Sequence, residues 1–161
     1  MKHIIFLFSN LLAYSFVVAQ QTSPQHIDFF FFKSQQYLRE RPDSAIYYAQ
    51  AALEAASKTG DKSRMGTALN SLGWAEMQEG RYDEAEAHVR ESLQLRRSLK
   101  NDSLITSSLI NLGAILEQKM TPDASLELYR EGLALAANRK DTLQLAKLYI
   151  NMANAWDSNE K

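Results

Sequence analysis

The chain has 161 residues, 45% hydrophobic and 23% charged, with 18 Lys plus Arg against 19 Asp plus Glu. That balance excludes the global basic field of a nucleic-acid binder, and the hydrophobic content excludes a wholly disordered chain. The absence of cysteine excludes disulfides, thiolate metal sites and a cysteine nucleophile.

The N-terminus has the three parts of a secretory signal peptide. Met1-Lys2-His3 is a short basic start, and Ile4 to Val18 is mostly apolar. Val17-Val18-Ala19 then supplies a cleavage site, followed by polar Gln20, Gln21, Thr22 and Ser23 rather than a basic stop-transfer cluster. The apolar part is short of the roughly 20 residues that span a bilayer as a helix. Cleavage is expected after Ala19, with an uncleaved N-terminal anchor as the alternative. Residues 1–19 are thus a signal peptide and residues 20–25 a polar lead. The remainder is expected to leave the cytoplasm, carrying 17 basic and 19 acidic residues.

Residues 26–161 repeat with a forty-residue period. Asp43, Asp83 and Asp123 share one column, and Leu53, Leu93 and Leu133 another. Leu72-Gly73 matches Leu112-Gly113 and Met152-Ala153. Pro42, Tyr82 and Pro122 align, as do Asp61, Asn101 and Asp141. A period in this range is the mark of a solenoid. The repeats run about 26–60, 61–100 and 101–140, with 141–161 a partial fourth.

Each period contains two helices. Residues 62–79 carry Met65, Leu69, Leu72 and Met77 at amphipathic spacing. Gly80 and Arg81 form a turn, after which Asp83 is placed to cap a second helix running to about Leu99. The next period repeats this at 103–119 and 123–138, with Pro122 at a helix start, where its missing N–H costs nothing. No segment shows strand alternation.

These columns resemble the tetratricopeptide repeat, in its forty-residue variant. The second period carries Leu69, Leu72-Gly73, Gly80, Tyr82, Ala85, Val89, Ser92 and Leu93, and the third Leu109, Leu112-Gly113, Ser125, Tyr129, Gly132 and Leu133. The resemblance implies an all-α, right-handed superhelical solenoid of antiparallel helix pairs, with about 3.5 repeats and seven helices. Gly73 and Gly113 are then expected where the two helices of a repeat cross, with Ala85 and Ser125 facing them. Leucine at Gly73 would overpack that crossing.

The first period departs from the pattern. Lys33 stands where Gly73 and Gly113 stand. Phe29 and Phe32 fit core columns, while Phe30 and Phe31 fall in columns that face the groove. Four consecutive residues sweep about 300° around a helix, so the four rings cannot all point inward. The extra rings either pack on the N-terminal segment or form an exposed patch for a partner or a second copy.

The resemblance also implies a concave groove, lined by the first helices of the repeats, that holds a peptide or partner protein. The corresponding candidates are Asn70, Trp74, Met77, Asn111, Lys147, Asn151 and Asn154. Asn111 and Asn151 share a column, and an Asn side chain offers one acceptor and two donors, which suits a main-chain amide. Each asparagine has a bland alternative, a hydrogen bond within the array. Trp74 either stacks on a ligand or packs in the seam. Only Lys147 among these positions is basic, which disfavours a carboxylate clamp.

Catalysis finds no support. His26 and His88 lie 62 residues apart, neither in a HExxH setting. Arg96-Arg97 is a lone basic pair, too small for a nucleic-acid footprint. The expected function is a non-enzymatic interaction scaffold of the exported bacterial type, in the periplasm or at the cell surface. No cofactor, metal or nucleic acid is expected, and no membrane contact beyond the signal peptide. The alternative is a sensory region of a longer histidine kinase or transcriptional regulator. The last helix carries Leu145, Leu148, Tyr149, Met152 and Trp156, an apolar set fit for another neighbour. Self-association through Phe30, Phe31 or that helix is a further expectation.

Overall fold

The structure is a computed structural model that describes residues 23–159; the signal peptide expected at residues 1–19 lies outside them. Seven helices follow in order: α1 (Pro24–Tyr37), α2 (Pro42–Thr59), α3 (Lys62–Gln78), α4 (Tyr82–Ser98), α5 (Asp102–Gln118), α6 (Pro122–Asn138) and α7 (Thr142–Asn159). The described residues contain no strand.

Local chemistry sets the odd helices and the even helices differently. At the odd starts, Ser23 Oγ accepts from His26 N, Asp61 Oδ1 from Arg64 N, Asn101 Oδ1 from Leu104 N, and Asp141 Oδ1 from Gln144 N. Each satisfies one backbone donor that the helix itself leaves open. The even helices α2, α4 and α6 follow the N-cap residues Arg41, Arg81 and Thr121, whose side chains make no capping hydrogen bond. Asp83, read from the sequence as a cap, instead sits inside the first turn of α4. There its charge opposes the positive end of the helix dipole, and it pairs with Lys119 Nζ at 2.7 Å.

The links explain the period. Gly60, Gly80, Lys100, Met120 and Lys140 all have positive φ, at every twentieth residue. In each case the next residue donates to the carbonyl five positions back, as Thr121 N does to Leu116 O at 3.0 Å and Asp141 N to Ala136 O at 3.0 Å. This is the helix-ending turn that a left-handed residue permits. Three of the five positions are not glycine, and a side chain in this conformation costs roughly 1–2 kcal/mol. Met120 at φ 58 is 80% exposed, so it recovers little of that by packing. Met120→Gly is therefore expected to stabilise the fold by about 0.5 kcal/mol, after allowing for glycine's greater freedom when unfolded. Urea midpoints check this; a midpoint at or below the parent's contradicts it.

Successive helices pack antiparallel, each against the next. Within a pair the crossing is close. A Cβ added at Gly73 would lie 2.5 Å from Val89 Cγ2 and 2.8 Å from Ala85 O. At Gly113 the space is filled by the ring of Tyr129 rather than by Ser125, which turns its hydroxyl to Pro122 O. Between pairs, Ala85, Val89, Leu93, Ile105, Leu109, Leu112 and Ile115 form one core cluster. Leu126, Tyr129, Ala136, Leu148, Met152 and Ala155 form the next. No pair buries its apolar face alone, so stability comes from stacking.

Helix α1 corrects the expected register. Its inward face is Ile27, Phe30, Phe31 and Ser34, spaced i, i+3, i+4, i+7. Ile27 and Ser34 are buried, and Phe30 and Phe31 pack half-buried against Ala52, Ala55, Ala56 and Ala68. Phe29 and Phe32 are the exposed rings, at 47% and 65%. The self-association expected of Phe30 and Phe31 therefore loses its exposed rings. The cause is the link 38–41, one residue longer than 79–81 and lacking a left-handed residue. One residue turns a helix by 100°, so the forty-residue alignment does not extend into α1.

Candidate functional site

The odd helices also meet one another: α1 touches α3, α3 touches α5, and α5 touches α7. The array is therefore narrower on their side. A cavity of about 760 Å³ opens there, lined from α1 and its link by Ser34, Gln35, Gln36, Leu38, Arg39 and Glu40. From α3 come Asn70, Ser71 and Trp74, from α5 Ile110 and Asn111, and from α7 Lys147, Ile150 and Asn151. Every lining residue belongs to an odd helix or to the first link.

Five candidates named from the sequence thus share one cavity: Asn70, Trp74, Asn111, Lys147 and Asn151. Met77 lies elsewhere, half-buried against the Val89–Leu112 cluster. Asn154, one turn beyond Asn151, is exposed outside the lining. The α1 residues were not among the candidates, because the register shift hid them.

Two buried polar chains stand behind the floor. In the first, Arg96 is 2% exposed and donates through Nη1 to Leu104 O at 2.9 Å and Ser108 Oγ at 2.8 Å. Ser108 Oγ lies 3.2 Å from Asn70 Oδ1 and 3.1 Å from Ser92 Oγ, and Ser92 Oγ donates to Gly66 O at 2.6 Å. Burial lowers the Arg96 pKa to about 10, so it remains charged at neutral pH. In the second chain, the buried Tyr129 hydroxyl donates to Glu117 Oε1 at 2.5 Å and also meets the Asn151 side chain. Burial, then the Glu117 carboxylate, raises the Tyr129 pKa. Burial raises that of Glu117 too, and the Tyr129 hydrogen bond partly offsets this.

The basic pair in the sequence therefore splits. Arg97 reaches Glu131 at the surface, at 2.6 Å, while Arg96 is core. The forty-residue column held the signal: Ala56, Arg96 and Ala136 align, and all three are buried. Arg96 takes up space over Gly66, whose added Cβ would touch Arg96 Cγ at 3.4 Å.

His88 Nδ1 lies 2.6 Å from Oε2 of buried Glu76, a pairing internal to the second repeat. Among the described residues no group of His, Asp and Glu is placed to hold a metal ion. Nor is any helix there long and apolar enough to cross a membrane.

A groove inside a stack of antiparallel helix pairs defines a helical repeat scaffold. Residues 36–98 match the tetratricopeptide repeat family, and the same paired geometry continues through α7. Residues 36–98 are thus a tetratricopeptide repeat region. The chain is similar in fold to BtubC (BKLC) from P. vanneervenii, with a TM-score of 0.74 and 21% identity over 84% of this chain. It spans 57% of that protein's length. It is also similar to nearly identical TPR-like repeats from Podosopora anserina, in a singly substituted form and in the unsubstituted form. Those two give TM-scores of 0.70 and 0.67 at 15% identity, covering 91% of this chain and 75% of theirs. No curated protein sequence matches the chain.

Proposed function

We propose that this chain is an exported, non-catalytic interaction module whose groove holds an extended peptide segment of a partner protein. The carrying observation is the meeting of Asn70, Trp74, Asn111, Lys147 and Asn151 around one 760 Å³ cavity. Asparagine amides match main-chain N–H and C=O groups, Trp74 offers a flat apolar face, and Lys147 adds charge.

A photo-crosslinking residue at Trp74, compared with one at exposed Arg90 on α4, tests the groove in the native envelope. Adducts to a defined protein are expected from position 74 alone. Asn111→Ala combined with Asn151→Ala is expected to weaken that partner by roughly 10-fold or more, as two hydrogen bonds of about 1 kcal/mol each are lost. Unchanged affinity in the double variant sinks the groove model. Export is tested by N-terminal sequencing of the mature protein, which should begin at Gln20; a cytoplasmic product retaining residues 1–19 contradicts it.

The second reading is a sensory region within a longer signalling protein. Its support is the exposed apolar row Leu143, Tyr149, Ile150 and Trp156 on α7, the composition of a face that another helix covers. An immunoblot of the native polypeptide at 16–18 kDa would oppose it (about 110 Da per residue, the 161-residue chain being 18.3 kDa).

A further inference from the structure

We propose that Arg96, from inside the core, sets the Asn70 amide with its Nδ2 donors toward the groove, and that the segment held there is acidic. This rests on the groove being the binding surface.

Arg96 has no carboxylate partner among the described residues, and its Nε has no hydrogen-bond partner at all. A buried cation left in this state acts on every dipole around it. Ser108 is the relay. Its Oγ accepts from Arg96 Nη1 and has one proton of its own to give. Ser92 has already committed its proton to Gly66 O. Two arrangements satisfy these groups. Either Ser108 donates to Asn70 Oδ1, or it donates to Ser92 while Asn70 turns its NH2 inward onto Ser108. The second points the positive end of the Asn70 amide toward an unneutralised guanidinium. The first points the negative end there. In a low-dielectric interior the charge selects the first, which leaves both Nδ2 hydrogens facing outward.

The rim agrees with that polarity. Arg39 and Lys147 line the groove from opposite ends of the array, and Glu40 is the one carboxylate among the lining residues. Neither cation is in an ion pair with another described residue. Two cations with amide donors between them complement a segment bearing carboxylates.

The test titrates capped pentaglutamate and capped pentaglutamine into the 15N-labelled protein. The side-chain amides of Asn70, Asn111 and Asn151 report binding. Pentaglutamate should bind roughly 10-fold tighter than pentaglutamine and move the Asn70 amide, as charge-assisted contacts predict. Arg96→Met, which keeps volume and removes charge, should bring the ratio below about threefold without changing pentaglutamine affinity. Ser108→Ala breaks the relay with the guanidinium in place; it should do the same and serves if Arg96→Met lacks a native circular dichroism spectrum. Equal binding of the two peptides, or a ratio unchanged in the folded variants, overturns the proposal. The groove itself still stands if both peptides move Asn111 and Asn151. If neither moves any of the three, the acidic preference is overturned, and the crosslinking at position 74 judges the groove independently.

Discussion

Gly113→Ala is expected to destabilise the protein by about 3 kcal/mol, lowering Tm by roughly 10 °C. The new Cβ would lie 2.5 Å from Tyr129 Cζ, closer still to Cε1, and 2.9 Å from the hydroxyl oxygen. The ring cannot step aside cheaply. It is fully buried, with Leu126, Ala136 and Leu148 in its cluster and its hydroxyl held by Glu117. Either the ring leaves its rotamer and breaks that bond, or α5 and α6 move apart and open the seam. Gly132→Ala is the control. There the nearest atom is the flexible end of Leu148, at 2.9 Å, so a smaller loss is expected. Thermal melts of the two variants decide. Equal shifts would mean that the Gly113 crossing is looser than the structure has it.

The second large effect is alkaline. In the unfolded chain Tyr129 loses its proton near pH 10. In the fold, burial and the neighbouring Glu117 carboxylate hold the phenol protonated well above that. Below pH 10 the hydroxyl is neutral in both states and contributes no pH dependence. Above it the unfolded state binds fewer protons, so stability falls as pH rises, by about 1.4 kcal/mol per unit from this one group. Urea unfolding at pH 9, 10 and 11 should show that slope in the parent and a shallower one in Tyr129→Phe. At pH 8 the same variant should be weaker by about 1–3 kcal/mol, because Glu117 keeps its burial and loses its donor. Parallel pH profiles for the two proteins would place the alkaline loss elsewhere.

Most of the scaffold was legible because its period is exact from residue 42 onward. Column matching finds the crossings at Gly73 and Gly113, the starts at Pro42 and Pro122, and the link column Asp61, Asn101 and Asp141, whose capping hydrogen bonds only the structure shows. It also named five residues that line one cavity. It failed where alignment and physics part company. Helix α1 follows a link of different length, so Phe29 and Phe32 traded places with Phe30 and Phe31. Residue type points to Asp83 as a cap, whereas backbone geometry puts the cap at Arg81. Composition makes Arg96 half of a basic pair, whereas its column is a core column. Hydroxyls such as Ser108 and Tyr129 give no sequence sign of their partners, since a hydrogen bond between repeats is a matter of placement. Met77 shows the converse limit. Its helix does line the groove, but one residue's rotation decides between groove and seam.

The twenty-residue spacing of the left-handed links fixes where this molecule can change length. Helices α3 to α6 have 17 residues each, with three-residue links between them. An inserted residue inside any of these units would turn one helix by 100° against its neighbours, taking a crossing glycine away from its ring or valine. Such an insertion cannot be absorbed by either partner, because each helix is clasped on two sides. The link 38–41 already carries one residue more, and α1 beyond it packs on α2 and α3 among the described helices. Tolerance to insertion is thus greater at this joint than at the links 79–81, 99–101 and 119–121. Arg39 and Glu40 stand on it, at the rim of the groove, so a change of length there would recast one wall of that cavity and leave the stack intact.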